Sequence, residues 1–146
     1  MKRDAYRHRA DARLFETLVN AYALRAGLVA AAQYALDMGL NKIQERAWSL
    51  AGDLRSSLSS LSNVDVRDTS AENCAIISFV IKGHEPRKVI EALRDRGIVI
   101  GMSDPSSTRL DAERRDLPVL LRAAPHYYNT EEEIGRLTRA IGLFVR

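Results

Sequence analysis

Residues 74 to 100 read CAIISFVIKGHEPRKVIEALRDRGIVI, a pattern that predicts alternating strand and helix. The first eight residues are almost continuously apolar and β-rich, which is typical of a strand covered on both faces. Pro86 suits the first turn of a helix, and Gly97 suits its end. The inward positions of that helix are predicted to be Val89, Ile90 and Leu93. With the apolar run Ile98–Ile100, the stretch predicts a strand, a helix and a strand, the first strand being central in a sheet.

Two helices are predicted upstream of this stretch. Residues 21 to 38 are rich in alanine and carry larger apolar side chains at helical spacing, which predicts a closely packed helix that stops before Gly39. Asn41 is a candidate cap for the second helix. That helix has one apolar stripe, made of Ile43, Ala47, Leu50, Leu54, Leu58 and Leu61. It should end near Ser62, and Val64–Val66 alternates as a short edge strand would.

The downstream part predicts a long loop, one strand and a final helix. Residues 101 to 118 show no sustained period and many turn formers, and loops of this length are usually functional or disordered. Residues 119 to 124 are apolar apart from Arg122 and predict a strand. Thr130 and Glu133 form a capping-box pattern that opens a helix. Its inward positions are predicted to be Ile134, Leu137, Ile141 and Phe144. Together the segments predict a two-layer α/β domain without internal repeats.

The composition is that of one ordinary globular domain, with 46% hydrophobic and 28% charged residues among 146. The formal net charge of +3 comes from residues 1 to 13, because the remainder carries equal numbers of acidic and basic side chains. A nucleic-acid partner is therefore not expected. No stretch resembles a signal peptide or a membrane span, so no membrane partner is expected and the predicted location is cytoplasmic. We predict a basic leader over residues 1 to 20 and one domain over residues 21 to 146.

Arg122 is the most informative charge in the sequence. It lies within an apolar strand, where an unpaired guanidinium would be costly, so it needs an anion. From the residues alone, an internal carboxylate and a bound carboxylate or phosphate are both open alternatives. Cys74 lies in the most apolar strand, which predicts a buried and inert thiol rather than a nucleophile.

Few other residues suggest chemistry. His126 and Asn129 flank two tyrosines and are candidates for the wall of a site, although a surface turn explains them as well. The three histidines are far apart and Cys74 is the only cysteine, so no metal site is predicted. Ser106–Thr108 lacks the setting of a hydrolase nucleophile or of a phosphate-binding loop.

The segment from Arg122 to Ile134, RAAPHYYNTEEEI, resembles the C-terminal signature of class V aminotransferases, a family that includes cysteine desulfurases. Further resemblances follow in the family's order at Phe15–Glu16 with Asn20, at residues 35 to 43 and at residues 96 to 100. The resemblance covers about residues 12 to 146. It implies the C-terminal small domain of a fold type I enzyme that depends on pyridoxal 5'-phosphate (PLP). Such a domain packs helices on a small, mainly antiparallel sheet.

The resemblance also implies roles for individual residues. The arginine that matches Arg122 binds the α-carboxylate of the amino-acid substrate. The loop that matches residues 101 to 110 borders the site, so Ser107, Thr108 and Arg109 are candidate wall residues beside His126 and Asn129. Cysteine desulfurases carry a nucleophilic cysteine in that loop, whereas this loop has none. Desulfurase chemistry is therefore not expected, and the loop is closer to the aminotransferase or epimerase-like branch.

Family members hold PLP in a large domain that precedes the segment matching Phe15. This chain has almost nothing there, and Lys42, Lys82 and Lys88 occupy positions that do not correspond to the PLP lysine. We therefore expect the chain alone to bind no PLP and to have no catalytic residue of its own. The implied partner is a large PLP-binding domain or a second copy in a homodimer. The main hypothesis is a substrate-carboxylate-binding domain, inert alone; the alternative is a stand-alone α/β small-molecule-binding or interaction module.

Overall fold

The computed structural model describes residues 8–16, 21–68, 70 and 72–145. The chain divides into two compact units, Met1–Met38 and Gly39–Arg146. The parts of the predicted leader at 1–7 and 17–20, with Asn20, lie outside the described residues. No helix in the described ranges is both long and apolar enough to cross a membrane.

The first unit consists of a short 3-10 helix, Ala12–Phe15, and helix α1, Tyr22–Met38. The position of α1 agrees with the predicted helix over residues 21 to 38. The prediction that it packs closely is wrong in this structure, because α1 buries none of its residues. Leu24 and Leu28 are 76% and 70% exposed. Helical spacing of apolar residues predicts a helix with an apolar face, but it does not show which residues would cover that face.

The second unit begins with helix α2, Leu40–Ser59, which presents the predicted apolar stripe to the core. Of that stripe, Ala47, Leu50, Leu54 and Leu58 are buried, and Ile43 and Leu61 are half-buried; Ala51, which was not predicted, is buried as well. The prediction of Asn41 as the cap is wrong. The residue at the cap position is Gly39, with φ of 93°, and no side chain bonds the first amides. Glycine adopts this backbone conformation without strain, which lets α2 start at Leu40, one residue before Asn41.

Four antiparallel strands form one sheet: β1, Val64–Val66; β2, Ile77–Ile81; β3, Gly101–Ser103; and β4, Leu120–Ala123. Their spatial order is β1-β2-β4-β3, which confirms β1 as an edge strand. Burial along β2 alternates, so the prediction that this strand is covered on both faces is wrong. Cys74 lies before β2 and is exposed, which corrects its predicted burial. A continuous apolar run does not by itself fix where a strand starts.

Helix α3, Pro86–Arg94, follows β2 with proline in its first turn and buries Val89 and Leu93, as predicted. Gly97 has φ of 70° and its amide donates to the Arg94 carbonyl at 2.9 Å, which confirms the predicted stop. The predicted strand at Ile98–Ile100 is displaced, because strand pairing begins only at Gly101.

The stretch from residue 101 to 118 is more ordered than predicted. It contains β3, a 3-10 helix at Pro105–Thr108 and helix α4, Arg109–Arg115. Three ion pairs at helical spacing support α4, and they join Arg109 to Glu113 and both Arg114 and Arg115 to Asp111. A search for apolar periodicity does not detect a helix held by such charges.

Helix α5, Glu131–Gly142, opens with the predicted capping box: the Thr130 hydroxyl accepts from the Glu133 amide, and the Glu133 carboxylate accepts from the Thr130 amide. Ile134, Leu137 and Ile141 are buried as predicted. One face of the sheet packs with α2, α3 and α5 around a single core that includes Leu54, Phe79 and Leu121. The predicted two-layer α+β fold with a small antiparallel sheet is confirmed.

Candidate functional site

Arg122 lies in the middle of β4, on the face of the sheet opposite the core. Leu121 and Ala123 on either side of it are buried, whereas Arg122 is exposed. Alternation along a strand accounts for this difference. The expectation that Arg122 bears a burial cost is therefore wrong for this chain, because the guanidinium reaches water.

Within the described ranges, the Arg122 side chain makes no hydrogen bond or ion pair. Six other arginines of the second unit each pair with a carboxylate: Arg46 with Glu131, Arg55 with Asp68, Arg67 with Asp65, Arg109 with Glu113, and Arg114 and Arg115 with Asp111. The alternative of an internal partner for Arg122 thus has no support among the residues described. Arg87, Arg94, Arg96, Arg136 and Arg139 also lack a carboxylate partner among the described residues, but Arg122 differs from them because it lies in a strand.

The two strands beside β4 place particular residues opposite Arg122. Ser78 of β2 is its partner on one side, and Gly101 of β3 is its partner on the other. The backbone of Ser78 is bonded on the side away from Arg122: its amide donates to Asp68 Oδ1 at 3.1 Å, and its carbonyl accepts from the Arg67 amide at 2.7 Å. Asp68 is in turn paired with Arg55 at 2.7 Å, and both side chains are mostly buried. Strand register and this buried pair therefore fix the positions of Ser78, Arg122 and Gly101, which lie side by side across the sheet and are called the Arg122 row.

The turn after β4 is organised by Asn129. Its side-chain oxygen accepts from the His126 amide at 2.8 Å, and its side-chain nitrogen donates to Glu133 at 3.1 Å. Arg46 on α2 donates to the Asn129 carbonyl at 3.1 Å and holds Glu131 through both guanidinium nitrogens. The turn is therefore tied both to α5 and to α2.

These contacts also set the ionisation of the acidic residues at the start of α5. The hydrogen bond from Arg46 lowers the pKa of Glu131 to about 2. The Thr130 amide, followed by the Asn129 side chain, lowers the pKa of Glu133. Both carboxylates are ionised at neutral pH and sit where the positive end of the helix dipole favours negative charge.

His126 belongs to an exposed aromatic cluster. Its ring lies 4.8 Å from that of Tyr127 in an edge contact and 5.2 Å from that of Tyr128 in a stacked contact. Tyr128 is 71% exposed. In the part of the chain that the structure describes, no three metal-binding side chains come together. The cluster offers a stacking surface beside the Asn129 turn.

Ser107, Thr108 and Arg109 lie after β3, in the 3-10 helix and the first turn of α4, and all three are exposed. Arg109 is engaged by Glu113 at 2.7 Å. No hydrogen bond joins any of them to Arg122 among the described residues. Asp104 caps this segment, and the Ser106 hydroxyl and then the Ser106 amide lower the pKa of Asp104.

Asn129 also lines a small cleft of about 170 Å³ between the chain before β3, the end of β4 and α5. Its wall includes Val99, Ala124, Ile134 and Arg136. Arg122 is not among the lining residues, so the structure does not combine this cleft with the Arg122 row.

The described lysines do not fit a PLP site. Lys42, Lys82 and Lys88 are all exposed, Lys88 pairs with Glu85, and none of the three lines the cleft that contains Asn129. A PLP lysine needs an enclosed setting with groups for the pyridine nitrogen and the phosphate. We therefore assign no step that involves the cofactor to residues of this chain.

Sequence reasoning did not find Ser78, Gly101 or Arg46. Ser78 and Gly101 have ordinary residue types, and only strand register brings them to Arg122. Arg46 lies off the apolar stripe of α2, where nothing in the sequence distinguishes it from an ordinary exposed arginine. A pairing signal between distant positions would be required to detect any of these three.

Comparison with known proteins agrees with this architecture. The family model for aminotransferase class V matches residues 9–137. A probable cysteine desulfurase of Mycolicibacterium paratuberculosis is 30% identical over 131 residues, which is 87% of this chain and 18% of that protein. The chain thus spans about a fifth of the length of this relative.

Two solved structures have the same fold over most of the chain. The apo cysteine desulfurase of Thermococcus onnurineus NA1 superposes with a TM-score of 0.81 and 21% identity, covering 99% of this chain and 36% of that one. A variant of C-DES, a cystine C–S lyase, with glycine covalently linked to its PLP cofactor gives a TM-score of 0.65 and 26% identity. It covers 89% of this chain and 31% of that one.

Proposed function

Because the chain belongs to the class V aminotransferase family, we propose that it is the C-terminal small domain of a PLP-dependent enzyme that acts on amino acids. In this proposal Arg122 binds the carboxylate of the substrate. The domain covers a cofactor that a larger domain holds, and it is inert alone. The observation that carries the proposal is that the Arg122 side chain projects from an inner strand of the sheet and has no salt bridge or hydrogen bond among the described residues.

The geometry supports a role in binding rather than in reaction. Arg122 projects from a strand hydrogen-bonded on both sides, so its backbone position is well defined. A planar guanidinium can grip a carboxylate through two parallel hydrogen bonds, which orients the ligand as well as attracting it. Exposure in this chain becomes an advantage when another domain covers the site, because the ion pair strengthens as water is excluded.

Bound PLP would supply an electron sink for chemistry at the α-carbon of the amino acid. The contribution of this chain is to position the carboxylate and to exclude water. The loop after β3 carries Ser106, Ser107 and Thr108 and no cysteine, so we propose a reaction other than desulfuration.

The carboxylate role is tested by replacing chloride with acetate at constant ionic strength while observing the ¹⁵N-labelled chain by NMR. We expect saturable shifts at the Arg122 Nε–H and at the Gly101 amide. Half-saturation should lie on the order of 100 mM or above, because an exposed ion pair contributes at most about 1 kcal/mol. Acetamide, which has the same shape without the charge, should produce no such shift.

Two variants make the test specific. Arg122→Lys should remove the saturable shift at Gly101, because an ammonium cannot reproduce the two-pronged contact. Arg94→Lys changes an exposed arginine on α3 and should leave the shift intact. If acetate and acetamide act alike on the wild-type chain, the carboxylate role of Arg122 is wrong.

A further inference from the structure

The backbone hydrogen bonds of Ser78 reveal how closely its side chain approaches Arg122. Its amide and its carbonyl both bond toward the β1 side, with Asp68 Oδ1 and with the Arg67 amide. In an antiparallel sheet the two backbone groups of a residue point to the same neighbour. Ser78 and Arg122 therefore form a non-hydrogen-bonded pair, in which Cα atoms are only about 4.5 Å apart and the side chains are closest.

The Ser78 side chain lies on the same face of the sheet as Arg122. Its neighbours Ile77 and Phe79 are fully buried on the core face, whereas Ser78 is half-buried on the other. Among the described residues its hydroxyl makes no hydrogen bond. The chain thus places a free hydroxyl directly beside a free guanidinium on an otherwise well-paired sheet.

Gly101 occupies the opposite side of Arg122. Because Arg122 faces β2 as a non-hydrogen-bonded residue, its backbone groups point to β3 and bond with Gly101. A Cβ at Gly101 would meet the Arg122 carbonyl at 3.8 Å, which is ordinary contact, so the backbone does not require glycine here. Side chains of directly opposed residues lie on the same face of the sheet. Because Gly101 has no side chain, the space next to the Arg122 guanidinium stays open on that face.

We propose that Ser78, Arg122 and Gly101 form one carboxylate site, in which the Ser78 hydroxyl donates a second hydrogen bond to the anion and Gly101 leaves the space that the anion enters. This inference rests on the proposed carboxylate role of Arg122 and deepens it. The site takes a planar carboxylate on a small group, because one guanidinium and one hydroxyl lie along a single row of the sheet.

Charges around the row do not compete for Arg122. On the β1 side Arg67 pairs with Asp65 at 3.1 Å, and Asp68 is occupied by Arg55 and by the Ser78 amide. From α4, Arg115 donates to the Arg67 carbonyl at 2.6 Å and pairs with Asp111. Asp65, Asp68 and Asp111 are therefore each engaged by another arginine, so none of these three carboxylates is free to pair with Arg122.

The test repeats the acetate titration on variants of the full chain. Ser78→Ala should raise the acetate dissociation constant about threefold, as expected when one hydrogen bond to a charged group is lost in a wet site. Ser78→Thr keeps the hydroxyl and suits a strand, so it should restore affinity. Val80→Ala is the matched control, since Val80 lies on the same strand and face but opposite Asp65.

Gly101→Val supplies an independent arm. Valine favours strands, so the urea midpoint should stay within error or rise slightly, while its branched side chain should cover the guanidinium and weaken acetate binding about threefold or more. Equal acetate affinity in the wild type, Ser78→Ala and Gly101→Val would overturn this inference and leave the Arg122 role intact. No acetate response at Arg122 in the wild type would overturn both.

Discussion

The buried pair between Arg55 and Asp68 should contribute far more to stability than an exposed pair of equal length. Arg55 Nε lies 2.7 Å from Asp68 Oδ2, and the two side chains are 15% and 13% exposed. Arg55 also donates to the carbonyls of Cys74 and Ile76 at 2.5 and 2.9 Å. Arg55→Met keeps much of the side-chain volume but leaves the Asp68 carboxylate mostly buried without its cation.

The magnitude follows from what is left behind. Breaking a buried pair by removing one partner costs about 3 to 5 kcal/mol, and the Asp68 carboxylate keeps one donor, the Ser78 amide. The two carbonyls are exposed and can bond water. We therefore expect Arg55→Met to lower the free energy of unfolding by about 3 kcal/mol, the low end of that range.

Arg109→Met is the matched control. Its pair with Glu113 has the same distance, 2.7 Å, but the side chains are 78% and 63% exposed. We expect a loss of at most about 0.5 kcal/mol. Urea unfolding of both variants can be followed through the fluorescence of Trp48, the single tryptophan.

A double variant separates charge from shape. Adding Asp68→Asn to Arg55→Met removes the unpaired charge and keeps an oxygen for the Ser78 amide, so about half of the lost stability should return. Equal losses for Arg55→Met and Arg109→Met would refute the reasoning. So would a loss below about 1 kcal/mol for Arg55→Met.

Three further outcomes are expected. Thr130→Ala removes the capping box at α5 and should lower the free energy of unfolding by about 1 kcal/mol, while Ser107→Ala at an exposed site should not. The folded-state pKa of Glu131 is about 2 against an ordinary 4.5, so its stabilisation is present above pH 4.5 and is lost as pH falls toward 2. Arg46→Gln should reduce this loss of stability at low pH. The urea midpoint is measured as a function of pH for both proteins, and the same pH dependence in the variant as in the wild type would contradict the prediction. Purified chain mixed with PLP should show no stoichiometric covalent adduct after dialysis, and an adduct mapped to one lysine would contradict that prediction.

Local signals in the sequence predicted the structure well. The α2 stripe and the Thr130–Glu133 capping box depend on residues one or two turns apart, so their physics is contained in short windows. Helix α4 escaped prediction because charge pairs rather than apolar spacing hold it. The boundaries of β2 and β3 also moved, since pairing with β4 decides which residues of an apolar run enter the sheet.

The candidate site was only partly accessible to the same reasoning. Arg122 was identified, but on the argument of a buried charge, whereas the residue faces outward. Its neighbours Ser78 and Gly101 come from distant parts of the chain and meet it through strand register. Nothing in a single sequence fixes that register, because shifting a strand by two residues preserves the apolar pattern.

The strand order β1-β2-β4-β3 has a consequence for how the polypeptide reaches this arrangement during translation. β3 bonds only to β4 within the sheet, although it is synthesised before it. A nascent chain that has emerged only as far as α4 can pair β1 with β2, but the inner edge of β2 stays open and β3 has no neighbour. Leu120–Ala123 must leave the ribosome before the sheet closes, so the open edge remains a target for wrong pairing until then. The strand that carries Arg122 is thus the last to enter the sheet, and a nonsense codon just before it would remove Arg122 and one of the two inner strands together.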